Sequence, residues 1–263
     1  MCPEKNEKNV PTSSALLVFK EVLSLQGAAF HPKEASERLG IPIPNIYRHI
    51  SVLVGSGFLI RMRRSHYLPH PTFLKLLAPF KVQSVLRLVI RPILEQAGKD
   101  VEAALHFGVL DSDMVTYIAK VDRYDMGLFT EENSQLEAYC SAIGKCLLAS
   151  LPTDKLDEYL SASEFPKLTD NTIVDPAEIR REICVTKKRG YGIDNREIRE
   201  DLVCIAVPVS LGDGSVIGSV SAASTRADLT GAPKKKVLSA LRQITEKIAN
   251  VLQTPKESQF LNN

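Results

Sequence analysis

A chain of 263 residues, 44% hydrophobic and 24% charged, has the size of two folded domains and the composition of an ordinary globular protein. It has no apolar run of about 18 residues to span a membrane, and the N-terminus MCPEKNEKNVPTSS is polar and lacks the apolar h-region of a secretory signal. The five cysteines (Cys2, Cys140, Cys146, Cys184, Cys204) form no CxxC pair, which speaks against a disulfide framework or a zinc site and fits a reducing cytoplasm.

The formal charge of +2 conceals a division along the chain. Residues 1–94 carry 13 Lys/Arg against 5 Asp/Glu, and residues 95–263 carry 20 against 26. Between Glu37 and Glu95 there is no acidic residue. A basic front on an acidic body is the electrostatic footprint expected of a polyanion-binding module. Without tryptophan and with few aromatic residues, the chain offers little for stacking single-stranded bases, so double-stranded DNA is the expected partner.

Residues 1–11 are expected to be a flexible end. From Ser13, SSALLVFKEVLSLQG predicts a helix with Leu16, Leu17, Phe19, Val22, Leu23 and Leu25 inward, Ser13 or Ser14 as cap and Gly27 as stop. HPKEASERLG predicts a second helix between Pro32 and Gly40. IPIPNIYRHISVLVGSG predicts a third, its start set by Pro42 and Pro44 and its buried stripe by Ile46, Ile50, Leu53 and Val54. Two short helices around a glycine turn make a helix-turn-helix.

If the third helix enters a major groove, Ile43, Asn45, Tyr47, Arg48 and His49 meet the DNA. Asn45 suits adenine and Arg48 guanine, each through paired hydrogen bonds. Tyr47 suits a phosphate. As alternatives, Asn45 serves as a cap and Arg48 as a plain surface arginine. FLIRMRRSHYLP then predicts a hairpin turning at Arg64-Ser65-His66, with Phe58, Ile60, Met62 and Tyr67 as its apolar positions. Arg61, Arg63 and Arg64 make it a basic wing for phosphates or the minor groove. The winged helix-turn-helix is placed at 12–72.

A linker helix region follows at 73–99, in which VQSVLRLVIRPILEQAG is helical and Pro92 is expected to bend or interrupt it. Residues 100–254 read as strands, helices, strands and a closing helix. VEAALHFGVLDSDMVTYIAKVDR is a hairpin around Asp111-Ser112-Asp113, and helices follow near 141–150, 153–161 and 176–189, the last with a capping box of Asp175 and Glu178. VCIAVPVSL and SVIGSVSAAS form a second hairpin, and KKKVLSALRQITEKIANVL closes the domain. The expected fold is α+β, an antiparallel sheet flanked by helices. Residues 255–263 are expected to be a flexible tail.

Three stretches, GIPIPNIYRHISVLVGSGFL, YCSAIGKCLLASLP and RGYGIDNREIREDLVCIAVPV, resemble in order and spacing the IclR family of bacterial transcription factors. The resemblance implies a GAF-like effector domain behind the DNA-binding module, and a homodimer or homotetramer on a pseudo-palindromic operator. It implies an effector pocket at Ala142, Ile143, Asp194, Leu202, Cys204 and Ser221, with Asp194 entering from a loop. The chain departs from the family pattern with Tyr139 for a common histidine, Asp201 for glycine and Ala223 for a second serine.

The helix opening Ser141-Ala142-Ile143-Gly144 offers backbone N–H groups to an anion, so the implied effector is a small organic or aromatic acid with its carboxylate on the 142–144 amides. Asp194 would repel a second negative group. Each pocket residue has a structural alternative: Cys204 and Ser221 as core, Asp194 as a cap. This stretch is no P-loop, since Tyr139 stands where glycine and Cys146 where Ser/Thr would be needed. No cofactor or metal is expected. An enzyme built on Cys204, His106 and Asp194 lacks the spacing of a nucleophile and base, so no catalysis is expected. A regulator that senses oxidants through its thiols is the alternative kept open.

Overall fold

The computed structural model describes residues 11–162, 164–225 and 231–253. They fall into two compact units, divided after Lys81. The terminal segments expected to be flexible lie almost wholly outside the described residues.

The first unit holds α1 (Pro11–Ser24), α2 (Pro32–Leu39), α3 (Ile43–Gly55), the hairpin β1 (Leu59–Arg63) and β2 (His66–Pro69), and α4 (Pro71–Leu77). Its core gathers Val18, Phe19 and Val22 from α1, Phe30 and Ala35, then Ile46, Ile50 and Leu53 from α3, with Leu59 and Tyr67 from the hairpin. α2 stops at Gly40, whose φ of 66° is the left-handed turn that glycine adopts without strain. Pro42 is the N-cap of α3, and its carbonyl accepts from the amides of Asn45 (2.9 Å) and Ile46 (3.1 Å).

Several expectations are corrected here. α1 is already helical at Pro11, so it starts ahead of the Ser13 start expected for it. Leu16 points outward and Val18 takes the core position. In the wing, Tyr67 is buried as expected, but on the first strand Leu59 is buried while Phe58 and Met62 are exposed, out of phase with the predicted alternation. The pairing slips between Arg61 and Arg63, and an irregular pair does not keep a strict two-residue period. α4 was not expected; the His70 ring accepts from the Thr72 amide (3.1 Å) and Pro71 opens the helix.

The second unit is built on one antiparallel sheet of six strands in the order β5-β4-β3-β8-β7-β6. The strands are β3 (Ala104–Asp111), β4 (Met114–Val121), β5 (Gln135–Glu137), β6 (Gly192–Asn195), β7 (Val203–Ser210) and β8 (Val216–Ser224). On one face α5 (Val82–Ala97) and α9 (Gly231–Leu252) pack Ile90, Leu94, Leu241, Ile244 and Ile248 onto Leu105, Phe107, Ile205 and Val220. On the other lie α6 (Ala142–Leu148), α7 (Thr153–Ala162) and α8 (Pro176–Arg189), with Ile143, Leu148, Leu156, Ile179 and Ile183 over Tyr117, Cys204, Ala206 and Ala223. The α+β fold is therefore as read: a winged helix-turn-helix unit, a linker helix, and a sheet flanked by helices.

Pro92 does not interrupt α5. Its ring removes the hydrogen bond to the Leu88 carbonyl, but Leu88 and Pro92 are both on the solvent side, where water can replace the lost donor. Asp175 caps α8 by accepting from the Glu178 amide (2.9 Å), while the Glu178 carboxylate pairs with Arg181 (3.7 Å). The short edge strands β5 and β6 were not predicted.

Candidate functional site

Two regions have the makings of a site, one in each unit. In the first, Arg48 and Tyr47 project from α3, and Ile43 is 38% exposed. Asn45 is half-buried and stands three residues beyond the Pro42 cap, so its alternative role as cap is removed. Arg61, Arg63 and Arg64 are all exposed on the wing. A cleft between α3 and the wing brings together Tyr47, Arg61 and Arg64, with Phe30 and Tyr67 at its base.

His49 is a correction. Only 6% exposed, it lies on the buried stripe of α3 beside Ile46, Ile50 and Leu53, not among the outward residues. Burial, with Arg48 beside it, lowers its pKa and favours the neutral ring. Arg87 and Arg91, counted in the basic stretch, belong to the second unit. Arg87 donates to the Ile118 carbonyl (2.8 Å) and pairs with Glu132, while Arg91 pairs with Glu132 and Glu95. Among the described residues, Arg48, Arg61, Arg63 and Arg64 enter no such ion pair.

In the second unit a small cavity lies between the sheet and the start of α6. Cross-strand register explains which side chains reach it. His106 on β3 faces Ser221 on β8, and Asp194 on β6 faces Cys204 on β7, which in turn faces Ala223. Six residues implied by the resemblance or its helix start, Ala142, Ile143, Asp194, Leu202, Cys204 and Ser221, all line it.

Gly144 does not line it. Its amide donates to the Ser141 hydroxyl (3.1 Å), and a Cβ there would overlap the Ala138 backbone. Gly144 is thus a packing residue that lets α6 approach the preceding strand segment, and its N–H is already used by the cap. Of the three expected amides, those of Ala142 and Ile143 keep the free N–H groups of a helix start. Asp194 comes from an edge strand and not from a loop.

His106, weighed from sequence only as a catalytic base, also lines the cavity, as do Tyr117 and Thr130, which sequence reasoning passed over. The His106 ring is bonded to the Thr130 hydroxyl (2.9 Å) and lies 5.0 Å from the Tyr117 ring. Burial, reinforced by Lys120, pushes its pKa down to about 3, so the ring is neutral. For His106 it is the strand register that identifies it, and that register follows from pairing β3 with a strand more than a hundred residues away.

Beneath the cavity lies a buried charge network that was also missed. Lys145, 1% exposed, donates to Glu197 (2.6 Å) and the Ile193 carbonyl (2.9 Å) and stands 3.7 Å from Glu182, which also holds Arg189 at 2.8 Å. A lysine within the small and apolar run YCSAIGKCLLASLP was the available signal: such a helix has no wet face for it. Next to this network Asp194, 1% exposed, accepts from the amides of Glu197 (2.7 Å) and Ile198 (3.4 Å). Burial outweighs these bonds and raises its pKa to about 7. Asp194 has both of the anticipated roles: it caps the turn after β6 and it lines the cavity.

His106, Cys204 and Asp194 do share the cavity, but not as catalytic machinery. The histidine is too weak a base, and burial together with Asp194 holds the Cys204 thiol protonated. The thiol-sensing alternative meets the same obstacle. Burial raises the Cys140 thiol and pushes that of Cys146 up to about 12, far from the thiolate that oxidants attack. Cys184 is exposed, and Cys2 lies outside the described residues. Among the described residues no cluster of His, Cys, Asp and Glu could hold a metal ion, and no helix is long and apolar enough to cross a membrane.

The departures from the family pattern separate on the same basis. Tyr139 is buried with its hydroxyl donating to the Pro166 carbonyl, and Asp201 pairs with Arg199 outside the cavity. Ala223 does line it, so that departure leaves the cavity wall without a hydroxyl.

A basic winged helix followed by a cavity-bearing sheet defines a two-unit transcription regulator. Residues 82–250 match the family described as bacterial transcriptional regulator IclR C-terminal. The chain belongs to the IclR family of bacterial transcriptional regulators, a family that acts by binding and not by catalysis. It is similar to the HTH-type transcriptional regulator KdgR of Dickeya chrysanthemi, 30% identical over 190 residues, or 72% of this chain and 62% of that protein. The matched part thus spans less than two thirds of that regulator. In fold the chain resembles the crystal structure of Thermotoga maritima IclR (24% identity, TM-score 0.61, covering 92% of this chain and 98% of that one). It also resembles an IclR homologue from Microbacterium hydrocarbonoxydans complexed with 4-hydroxybenzoate (21%, TM-score 0.60, 92% and 99%).

Proposed function

We propose that the chain is a sequence-specific regulator whose affinity for a double-stranded operator is set by a small organic or aromatic acid held in the sheet cavity. The observation that carries the DNA half is the cleft in which Tyr47 meets Arg61 and Arg64 with no acidic side chain on its lining. Arg48 and Asn45 read base edges from α3, Ile43 makes an apolar contact, and Arg63 joins the other wing arginines on the phosphates. His49 is left out of this role and supports α3 from within.

The effector half rests on the cavity. Its acid seats against the amides of Ala142 and Ile143, with its remainder between Leu202, Cys204 and Ser221. The fold neighbour that holds 4-hydroxybenzoate makes an aromatic acid a reasonable first probe. The working species is a homodimer or homotetramer placing two or more α3 helices on a pseudo-palindromic site. Exposed Val82, Val85 and Leu88 on α5 offer an apolar stripe for that association. In this reading the protein works in the cytoplasm.

The deciding experiment compares binding to DNA from upstream of its own gene with binding to random duplex across a salt series. About four phosphate contacts per protomer give a dimer a slope near −7 in log affinity against log salt. Preference for the upstream DNA with a slope of that order, altered by an acid, supports the proposal. Indifference to sequence with every probe acid removes it.

A further inference from the structure

The cavity poses a charge problem for the acid proposed above. No lysine or arginine lines it among the described residues, yet the carboxyl of Asp194 does, buried to 1% exposure. On β4, Lys120 stands behind the lining, where the Thr130 (2.7 Å) and Leu128 (3.4 Å) carbonyls hold its ammonium, so its charge lies on the His106 side and not beside Asp194. From α6, Lys145 approaches, but it is held by Glu197 (2.6 Å) and stands near Glu182 (3.7 Å), which also pairs with Arg189 (2.8 Å), so the network's two cations are matched by its two carboxylates. From β7 comes the Cys204 thiol, from β4 the Tyr117 hydroxyl and from the segment before α6 the Cys140 thiol, all kept protonated by burial. His106 on β3 is neutral. Arg199 lies outside the lining, paired with Asp201 and set against the Phe129 ring. An acid bound here would put a second negative charge beside a buried carboxylate, and two like charges in a desolvated space do not both stay ionised.

We propose that a carboxylate effector enters this cavity together with one proton from solvent, taken up by Asp194 on the carboxyl oxygen not held by the Glu197 and Ile198 amides. This rests on the reading of the effector as an acid and adds its regulation and class: monoanionic acids, bound more tightly as pH falls. Burial has already brought the Asp194 carboxyl to about 7, so the uptake falls within the range in which cells operate. The neighbouring Glu197 has a buried oxygen with no hydrogen-bond donor among the described residues, and further negative charge is unwelcome there too.

The test is calorimetry on the full chain with benzoate, 4-hydroxybenzoate and pyruvate, and with their amides as neutral counterparts. Titrations run from pH 6 to 9 in buffers of differing ionisation enthalpy, which counts the protons. The acids that bind are expected to weaken roughly tenfold per pH unit above about pH 7, with close to one proton taken up at pH 8. D194N is expected to bind the same acids with neither pH dependence nor proton uptake, since its Oδ1 can still accept from the two amides. An acid that binds wild type without proton uptake overturns this proposal and leaves the acid reading standing. Binding of the amides alone, or of none of the acids to either protein at any pH, overturns both. If D194N does not fold, infrared difference spectra of wild type at pH 8 decide, using acid isotope-labelled at its carboxyl carbon. A gain of an unlabelled protonated-carboxyl band supports the proposal, and its absence overturns it.

Discussion

Arg48, Asp194 and Lys145 show how differently three charged residues can be used in one chain. Arg48 is exposed and without an ion-pair partner among the described residues, so its removal should cost little stability and much selectivity. Arg48→Ala is expected to lose about 1–3 kcal/mol on operator DNA and far less on random duplex, measured by competition binding. Equal losses on both would assign it to the backbone. Asp194 acts through its proton. Its folded pKa lies above the ordinary carboxylate value, so the folded chain binds the extra proton between about pH 4 and 7 and loses stability as pH rises through that window. Relative to D194N, wild type should lose up to about 1.4 kcal/mol per pH unit there, read by denaturant unfolding followed by circular dichroism. Lys145→Met leaves Glu197 buried without its cation, and a loss of about 3–5 kcal/mol is expected in the same measurement. A value near zero would mean that water reaches Glu197. At this scale the sequence was legible where residue type decides, as for the exposed wing arginines. It was not legible where position decides: His49 is polar, and only the phase of α3 puts it inside.

The long elements were legible because each carries its own signals, as in the proline start and glycine stop of α2 or the turn residues at Ser112 and Gly214. β5 and β6, three and four residues long, were not, because their existence depends on the partners β4 and β7 and not on a pattern of their own. The same dependence hid His106 and mislocated Asp194, whose places follow from register. α6 shows a further limit. A glycine near a helix start reads as room for a ligand, whereas here it is room for the backbone of Ala138. Gly144→Ala should therefore disrupt α6 and unfold the sensor unit at lower temperature even without any acid present. An unchanged melting curve with lost acid binding would restore Gly144 to the cavity. The wing can be tested as an element: Arg63→Ala and Arg64→Ala should each weaken binding to all sequences alike and reduce the salt slope by about one.

For the whole molecule, the fold class was readable from the order of elements, and the six positions that the family resemblance implies for an effector all line one cavity. What sequence could not supply was the chemical character of that cavity: a neutral histidine, an aspartate whose carboxyl burial lifts to about 7, and no lysine or arginine on the lining among the described residues, all products of burial and packing. Association of protomers is testable at this scale too. Leu88→Glu on the exposed stripe of α5 is expected to shift the sedimentation profile toward monomer with the circular dichroism unchanged. The position of β3 has a consequence of another kind. β3 and β8 are neighbours at the centre of the sheet, yet one begins at Ala104 and the other ends at Ser224. While the chain is being made, the first unit can leave the ribosome complete and fold, whereas the six-stranded sheet must wait for β8, its last strand in chain order, with one edge of β3 unpaired. Each newly made molecule therefore passes through an interval in which a DNA-binding head exists without its sensor. How long that interval lasts is set by translation across the hundred or so residues between the two strands.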